Sequence, residues 1–212
     1  MDVLKFIGEH KIVAIARRID SGRLVDAVAA MIEGGVKTFE ITFDQASSSL
    51  DATARSIALL KHRYGDSIAL GAGTVLNDEQ LNVAADSGAQ FVLAPNTNVA
   101  LIKAAKKKGL VAIPGAFTPS EIVTAWEAGA DIVKLFPAAT FGIPYLKAIR
   151  GPINHIPLMA VGGIDETNIK LFLENGCMSG GIGSNLFRSD LIHAGKWDEL
   201  SKLSRMFVEA AE

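Results

Sequence analysis

Eight short apolar runs, each followed by a helical stretch, recur along this chain, and that alternation limits its fold more than any other feature. The runs are Ile12–Ala16, Thr38–Phe43, Ala69–Val75, Phe91–Ala94, Val111–Pro114, Asp131–Phe136, Leu158–Val161 and Ser179–Ile182. They are brief and often β-branched, as strands buried on both faces are. Apolar spacing of helical period fills the intervals, as in Arg23–Glu33, Leu50–Tyr64, Asp78–Ser87, Val99–Lys107, Pro119–Glu127, Tyr145–Arg150 and Glu166–Glu174, and a last helix spans Trp197–Ala211. Glycines punctuate the helix ends, at Gly34-Gly35, Gly88, Gly109, Gly129 and Gly176, where a left-handed cap is wanted. Capping residues or a first-turn proline open others, at Asn77-Asp78, Thr118-Pro119 and Asp165-Glu166. Strands joined by crossover helices pair in parallel, and eight such units predict a single-domain α/β fold over 1–212: a (β/α)8 TIM barrel with an extra N-terminal helix. An open doubly wound sheet would show a glycine-rich turn after the first strand. Here that strand runs into Ala16-Arg17-Arg18.

Composition narrows the partners. A net charge of −2 gives no electrostatic reason to expect nucleic acid. The one cysteine, Cys177, has no disulfide partner and no companion for a Cys-rich metal site, so it reads as a buried thiol. The first residues, Met1-Asp2-Val3-Leu4-Lys5-Phe6, carry an acid early and no long apolar stretch. No run is long enough to span a membrane. These features predict a cytoplasmic protein without membrane partners.

Lys134 interrupts the apolar run Asp131-Ile132-Val133-Lys134-Leu135-Phe136-Pro137. Strand alternation puts it on one face with Ile132 and Phe136. An ammonium there is costly unless paired or deprotonated, and a neutral amine attacks carbonyls to form Schiff bases. The alternative is an edge-strand lysine reaching to water.

Barrel chemistry collects at the C-terminal ends of the strands. Strand one ends in Arg17, in phase with Val13 and Ile15. On strand two Glu40 and Thr42 oppose the large apolar residues and point to the interior. Strand three carries Gly71-Ala72-Gly73-Thr74, whose glycines permit close approach of backbone or ligand; Thr74 is alternatively a cap for the next helix. Strand four ends Ala94-Pro95-Asn96 and strand five Pro114-Gly115. Glu40 and Lys134 are the two ionisable groups expected inside the mouth, as catalytic partners or as a structural ion pair. Arg17 is a ligand contact or, with Arg18, part of a solvated basic turn.

The last two strands end differently, in Val161-Gly162-Gly163-Ile164-Asp165 and Gly180-Gly181-Ile182-Gly183-Ser184-Asn185. Paired glycines let backbone N–H groups crowd an anion. Ser184 is expected to open a short extra helix whose N-terminus favours negative charge. These two loops are the habitual phosphate site of such barrels.

Taken together, Phe39-Glu40-Ile41-Thr42, Gly71-Ala72-Gly73-Thr74-Val75, Ile132-Val133-Lys134-Leu135-Phe136-Pro137, Ala160-Val161-Gly162-Gly163-Ile164 and Gly181-Ile182-Gly183-Ser184 resemble the 2-keto-3-deoxy-6-phosphogluconate (KDPG) / 4-hydroxy-2-oxoglutarate (KHG) aldolase family. The resemblance implies a homotrimeric, metal-independent class I aldolase without a cofactor, acting on a phosphorylated keto sugar acid to give pyruvate. It implies that Lys134 forms the Schiff base and Glu40 shuttles protons, with Arg17, Thr74, Pro95, Phe136, Gly162, Gly163, Gly183 and Ser184 as substrate-binding positions. Asp44 stands where the best-known branch has a carboxylate-gripping arginine. Arg17 and the stretch Phe136–Gly142 resemble the sister branch acting on the galactonate epimer. Other readings are cleavage of 4-hydroxy-2-oxoglutarate, an epimerase or decarboxylase barrel, and a phospho-sugar-binding protein without turnover.

Overall fold

A computed structural model describes residues 1–212, except the side chain of Ser21. Nine parallel strand segments form one sheet in the order β5-β4-β3-β2-β1-β9-β8-β7-β6. They are β1 (Ile12–Ala16), β2 (Thr38–Thr42), β3 (Ala69–Gly73), β4 (Phe91–Leu93), β5 (Val111–Ile113), β6 (Gly115–Ala116), β7 (Val133–Leu135), β8 (Leu158–Val161) and β9 (Cys177–Ile182). The two ends of that order, β5 and β6, are consecutive in the chain and separated only by Pro114; β6 lies just beyond the expected strand Val111–Pro114. β5 pairs with β4 and β6 with β7, so this single stretch closes the sheet into a TIM-like barrel. Proline brings no N–H to a ladder, yet its carbonyl accepts from Lys134 N at 2.9 Å, which seats the lysine strand against the closure.

The helices are α1 (Val3–His10), α2 (Ser21–Glu33), α3 (Asp51–Tyr64), α4 (Asp78–Asp86), α5 (Val99–Lys107), α6 (Pro119–Glu127), α7 (Gly142–Arg150), α8 (Ile169–Glu174), α9 (Ser189–Ala194) and α10 (Trp197–Ala210). Thr118 and Glu121 form a reciprocal capping box on α6, and Asn77 and Asn98 cap α4 and α5. Thr74 therefore caps nothing; Asn77 does that work. α9 was not evident from the sequence.

Two apolar clusters follow from strand alternation. Phe39, Ile41, Val133, Leu135, Leu158 and Ala160 face the helices. Val13, Ile15, Phe91, Leu93, Ile113, Ile132, Met159 and Val161 fill the barrel. Ile7 of α1 joins the interior cluster, with Val3, Leu4 and Phe6 against it, so the N-terminal helix plugs the end opposite the mouth. No helix among the described residues is long and apolar enough to cross a membrane. Cys177 is buried, and burial pushes its thiol up to about 12.

Candidate active site

Glu40 and Lys134 approach the mouth from opposite walls, on β2 and β7. Both are buried, with 1% and 4% of their surface exposed. Lys134 joins none of the ion pairs of the described residues. Its Nζ lies 4.8 Å from the centroid of the Phe136 ring. Glu40 Oε2 has no hydrogen-bond partner. An unpartnered buried carboxylate oxygen costs stability, which marks a place where folding alone does not explain the residue. Burial pushes the Glu40 carboxyl up, while the charges of Lys134 and Arg17 pull it back. Burial lowers Lys134; the Glu40 charge opposes that fall and Arg17 adds to it. Desolvation thus moves both groups toward their uncharged forms.

Glycines give Glu40 its room. A Cβ on Gly73 would fall on the Glu40 carboxyl group, and one on Gly71 on the Phe91 ring. The two strand-three glycines are therefore spaces for neighbouring side chains, not for backbone or ligand as expected. The physical reason is register: Glu40 and Phe91 both pair with Gly71 from either side.

Two cavities that share Arg17 open at the mouth; neither Glu40 nor Lys134 is among the residues that line them. One, of about 420 Å³, is lined by Arg17, Phe136, Gly162, Gly163, Gly183, Ser184, Asn185 and Arg188, among others. The other, of about 500 Å³, is lined by Arg17, Arg18, Thr42, Phe43, Asp44, Gln45, Ala46 and Thr74. Asp44 accepts from Arg18 at 3.0 Å and from Ala46 N at 3.1 Å. Those hydrogen bonds hold its carboxyl below the ordinary range. Arg18 is thus occupied, whereas Arg17 pairs with no carboxylate among the described residues and is the free cation of the mouth. Both arginines are exposed loop residues, and only Arg18 is engaged by a carboxylate.

In the first cavity Gly162 and Gly163 have φ of +94° and +74°, a region open to glycine without strain. Among the described residues the N–H groups of Gly162, Gly163, Gly183 and Ser184 donate to no protein acceptor. Side-chain amides brace these loops: Asn168 donates to Gly163 O at 2.8 Å and Asn185 to Ile164 O at 2.9 Å. Ser184 does not open a helix. Residues 183–187 make a single turn, closed by Phe187 N on Gly183 O at 2.9 Å, and α9 begins at Ser189. The donors free at this cavity are loop amides and not the first turn of a helix. Pro95 stands apart from both cavities; its carbonyl occupies the space a side chain on Gly115 would need. No three His, Cys, Asp or Glu among the described residues cluster in a metal-holding arrangement.

A family model described as "Aldolase: KDPG and KHG aldolase" matches residues 3–203. The chain belongs to this aldolase family. The 2-dehydro-3-deoxy-6-phosphogalactonate aldolase of Escherichia coli (strain K12) is 35% identical to it over 179 residues, 84% of this chain and 85% of that protein. The KHG/KDPG aldolase of the same strain is 35% identical over 189 residues, 89% of this chain and 86% of that protein. The KDPG aldolase of Legionella pneumophila superposes with a TM-score of 0.86 at 25% identity, covering 97% of each chain; its structure holds pyruvate captured at low pH as a covalent carbinolamine. This aldolase shares that barrel, and a desolvated lysine inside it is consistent with class I chemistry, in which an amine and not a metal activates the ketone.

Proposed function

We propose that this aldolase cleaves a 2-keto-3-deoxy-6-phospho sugar acid to pyruvate and glyceraldehyde 3-phosphate, with Lys134 as nucleophile and Glu40 as proton carrier. One observation carries the reading: a lysine desolvated and without an ion pair faces a buried glutamate with a free oxygen. The cycle uses each group in its uncharged form, the direction in which burial drives both. The Lys134 amine attacks the C2 ketone, and the neutral Glu40 carboxyl donates a proton to the departing hydroxyl of the carbinolamine. The carboxylate so formed takes the C4 hydroxyl proton as the C3–C4 bond breaks, and the iminium receives the electron pair. The aldehyde leaves, the enamine is protonated, and water releases pyruvate.

The two cavities divide the substrate's anionic ends. Arg17 and Thr74 hold the pyruvyl carboxylate, with Arg17 in place of the arginine that Asp44 replaces. The free amides of Gly162, Gly163, Gly183 and Ser184 take the phosphate, and Phe136 packs against the chain between. Phosphate binding remote from C3–C4 orients the reacting bond. Pro95 supports Gly115 beneath the lysine strand. A cytoplasmic homotrimer is the assembly we propose; the lone free cysteine supports the compartment and the family resemblance the trimer.

Pyruvate with borohydride should add one reduced pyruvyl group, mapped to the Lys134 peptide. Labelling of a different lysine refutes the assignment. Pyruvate release from both 6-phospho epimers, their unphosphorylated acids and 4-hydroxy-2-oxoglutarate then ranks substrates. Equal turnover with and without phosphate would refute the phosphate site and favour the shorter diacid, a choice that the KHG/KDPG relative keeps open.

A further inference from the structure

Thr74 has a φ of +56°. A β-branched residue in the left-handed region is strained, and it stays there only where its surroundings enforce it. Those surroundings form a short relay of amides. Gln45 Nε2 donates to Thr74 O at 2.9 Å. Gln80 Nε2 donates to Gln45 Oε1 at 3.0 Å, and Gln80 Oε1 accepts from Leu76 N at 2.7 Å. Gln80 is itself 4% exposed and is anchored in the first turn of α4, where its N–H donates to Asn77 Oδ1 at 2.9 Å. The following residue, Val75, is pinned by its N–H to Leu93 O at 3.0 Å. The Thr74 side chain is only partly buried and lines the Arg17 cavity, as Gln45 does.

A buried glutamine whose two amide ends both serve loop backbone or another amide is expensive to place, and its reach ends on the strained peptide. We propose that Gln45, held by Gln80, is a positioning residue that clamps Thr74 in its left-handed conformation and so aims Thr74 at the substrate carboxylate. This rests on the reading of Thr74 as a carboxylate contact. Gln45 touches no reacting atom in this account. It acts through the Thr74 carbonyl, and its loss lets that peptide relax toward the ordinary β region, turning the threonine away from the cavity.

The test is the pyruvate dependence of methyl-proton exchange and of borohydride trapping. Gln45 is exposed, so Gln45→Ala should fold, with a loss of stability limited to the one Gln80 donor it leaves unpaired. It should raise half-saturating pyruvate up to about 10-fold, the scale of one net hydrogen bond, with the saturated rate within about twofold. Gln80→Glu, which keeps the acceptor for Leu76 but loses the donor to Gln45, should shift pyruvate dependence in the same direction. Thr74→Gly separates the clamp from its target. Glycine adopts positive φ without strain, so Gln45→Ala added to Thr74→Gly should change pyruvate dependence less than twofold. An equal Gln45 effect in both backgrounds, or none in the Thr74 enzyme, would overturn the clamp while leaving the carboxylate assignment standing. A Thr74→Gly enzyme with unaltered pyruvate dependence would overturn the carboxylate assignment itself, and the clamp with it.

Discussion

Gly73→Ala should separate catalysis from folding in this aldolase. The added Cβ would coincide with the Glu40 carboxyl group and lie 2.7 Å from its Cγ. Non-bonded carbons settle near 3.5–4.0 Å, and the carboxyl atoms lie nearer the new Cβ than Cγ does, so the side chain must withdraw by more than about 1 Å. Gly73 is not among the glycines held at positive φ, so alanine fits the backbone. The collision falls on the end of one flexible side chain. Crowding a packed interior costs about 1–3 kcal/mol, and replacing glycine returns about 0.4–1 kcal/mol through the unfolded chain. The net loss is about 2.6 kcal/mol or less, a fall in Tm of no more than about 10 °C for a domain this size.

Catalysis has less tolerance. A misplacement of about 1 Å costs roughly 100-fold, and loss of a general acid–base roughly 10²–10⁴-fold. Pyruvate release from the phosphorylated keto acid, followed with a coupled dehydrogenase, should therefore fall at least about 100-fold. Borohydride trapping at Lys134 should fall less than cleavage, because it needs Glu40 only for the expulsion of the carbinolamine hydroxyl. Gly115→Ala supplies the contrast. Its Cβ meets the backbone of Pro95 and lies 2.8 Å from Ala94 O; backbone cannot swing aside, so that variant should fold poorly. Turnover of Gly73→Ala within threefold of the parent would refute the claim that Glu40 must sit where it does. Loss of trapping in step with cleavage would show that the substitution disturbs Lys134 as well.

Three further outcomes follow from the same geometry. Lys134→Ala and Lys134→Arg should both abolish trapping, because arginine stays protonated; residual labelling elsewhere on the chain would contradict the assignment. The pH at which trapping switches on should move in opposite directions in two variants. The Glu40 charge raises the Lys134 pKa and the Arg17 charge lowers it. Glu40→Gln should therefore free the amine at lower pH, and Arg17→Ala should require higher pH; shifts of the same sign would contradict the coupling. Gly162→Val should spare pyruvate exchange yet impair the phosphorylated substrate. Gly162 has a φ of +94°, and a Cβ there would press on Pro137 Cα at 3.1 Å and the Phe136 ring at 3.2 Å. Equal losses on both substrates would show that the loop does not act on phosphate alone.

The barrel was legible because its signals are local and repeated. A two-residue alternation, a helical period and a glycine at the stop each need only a few neighbours to read. The same alternation placed Glu40 and Lys134 inside: Lys134 shares its phase with Ile132 and Phe136, and Glu40 lies opposite the helix-facing Phe39 and Ile41. What escaped is what depends on the neighbouring strand. Gly71 and Gly73 announced empty space, but only register reveals that Phe91 and Glu40 fill it. Ser184 followed glycines as a helix-opening residue would, yet the chain makes one turn before α9. Gln80 lay beside Leu81 and four residues before Ala84, on the buried side of α4. A polar residue in that phase was the available signal, although its partner, Gln45, lies 35 positions away. Burial of a lone amide is tolerable only when its donors and acceptors are met. A glutamine in an apolar phase therefore asks where its partners are, and here the question leads to the strained peptide at the mouth. The same rule applied to Glu40 has the opposite answer: its free oxygen meets no protein group. Thr38, Tyr64 and Ser179 also bury an unpartnered oxygen, so it is the carboxylate, set across the mouth from Lys134, that sets Glu40 apart.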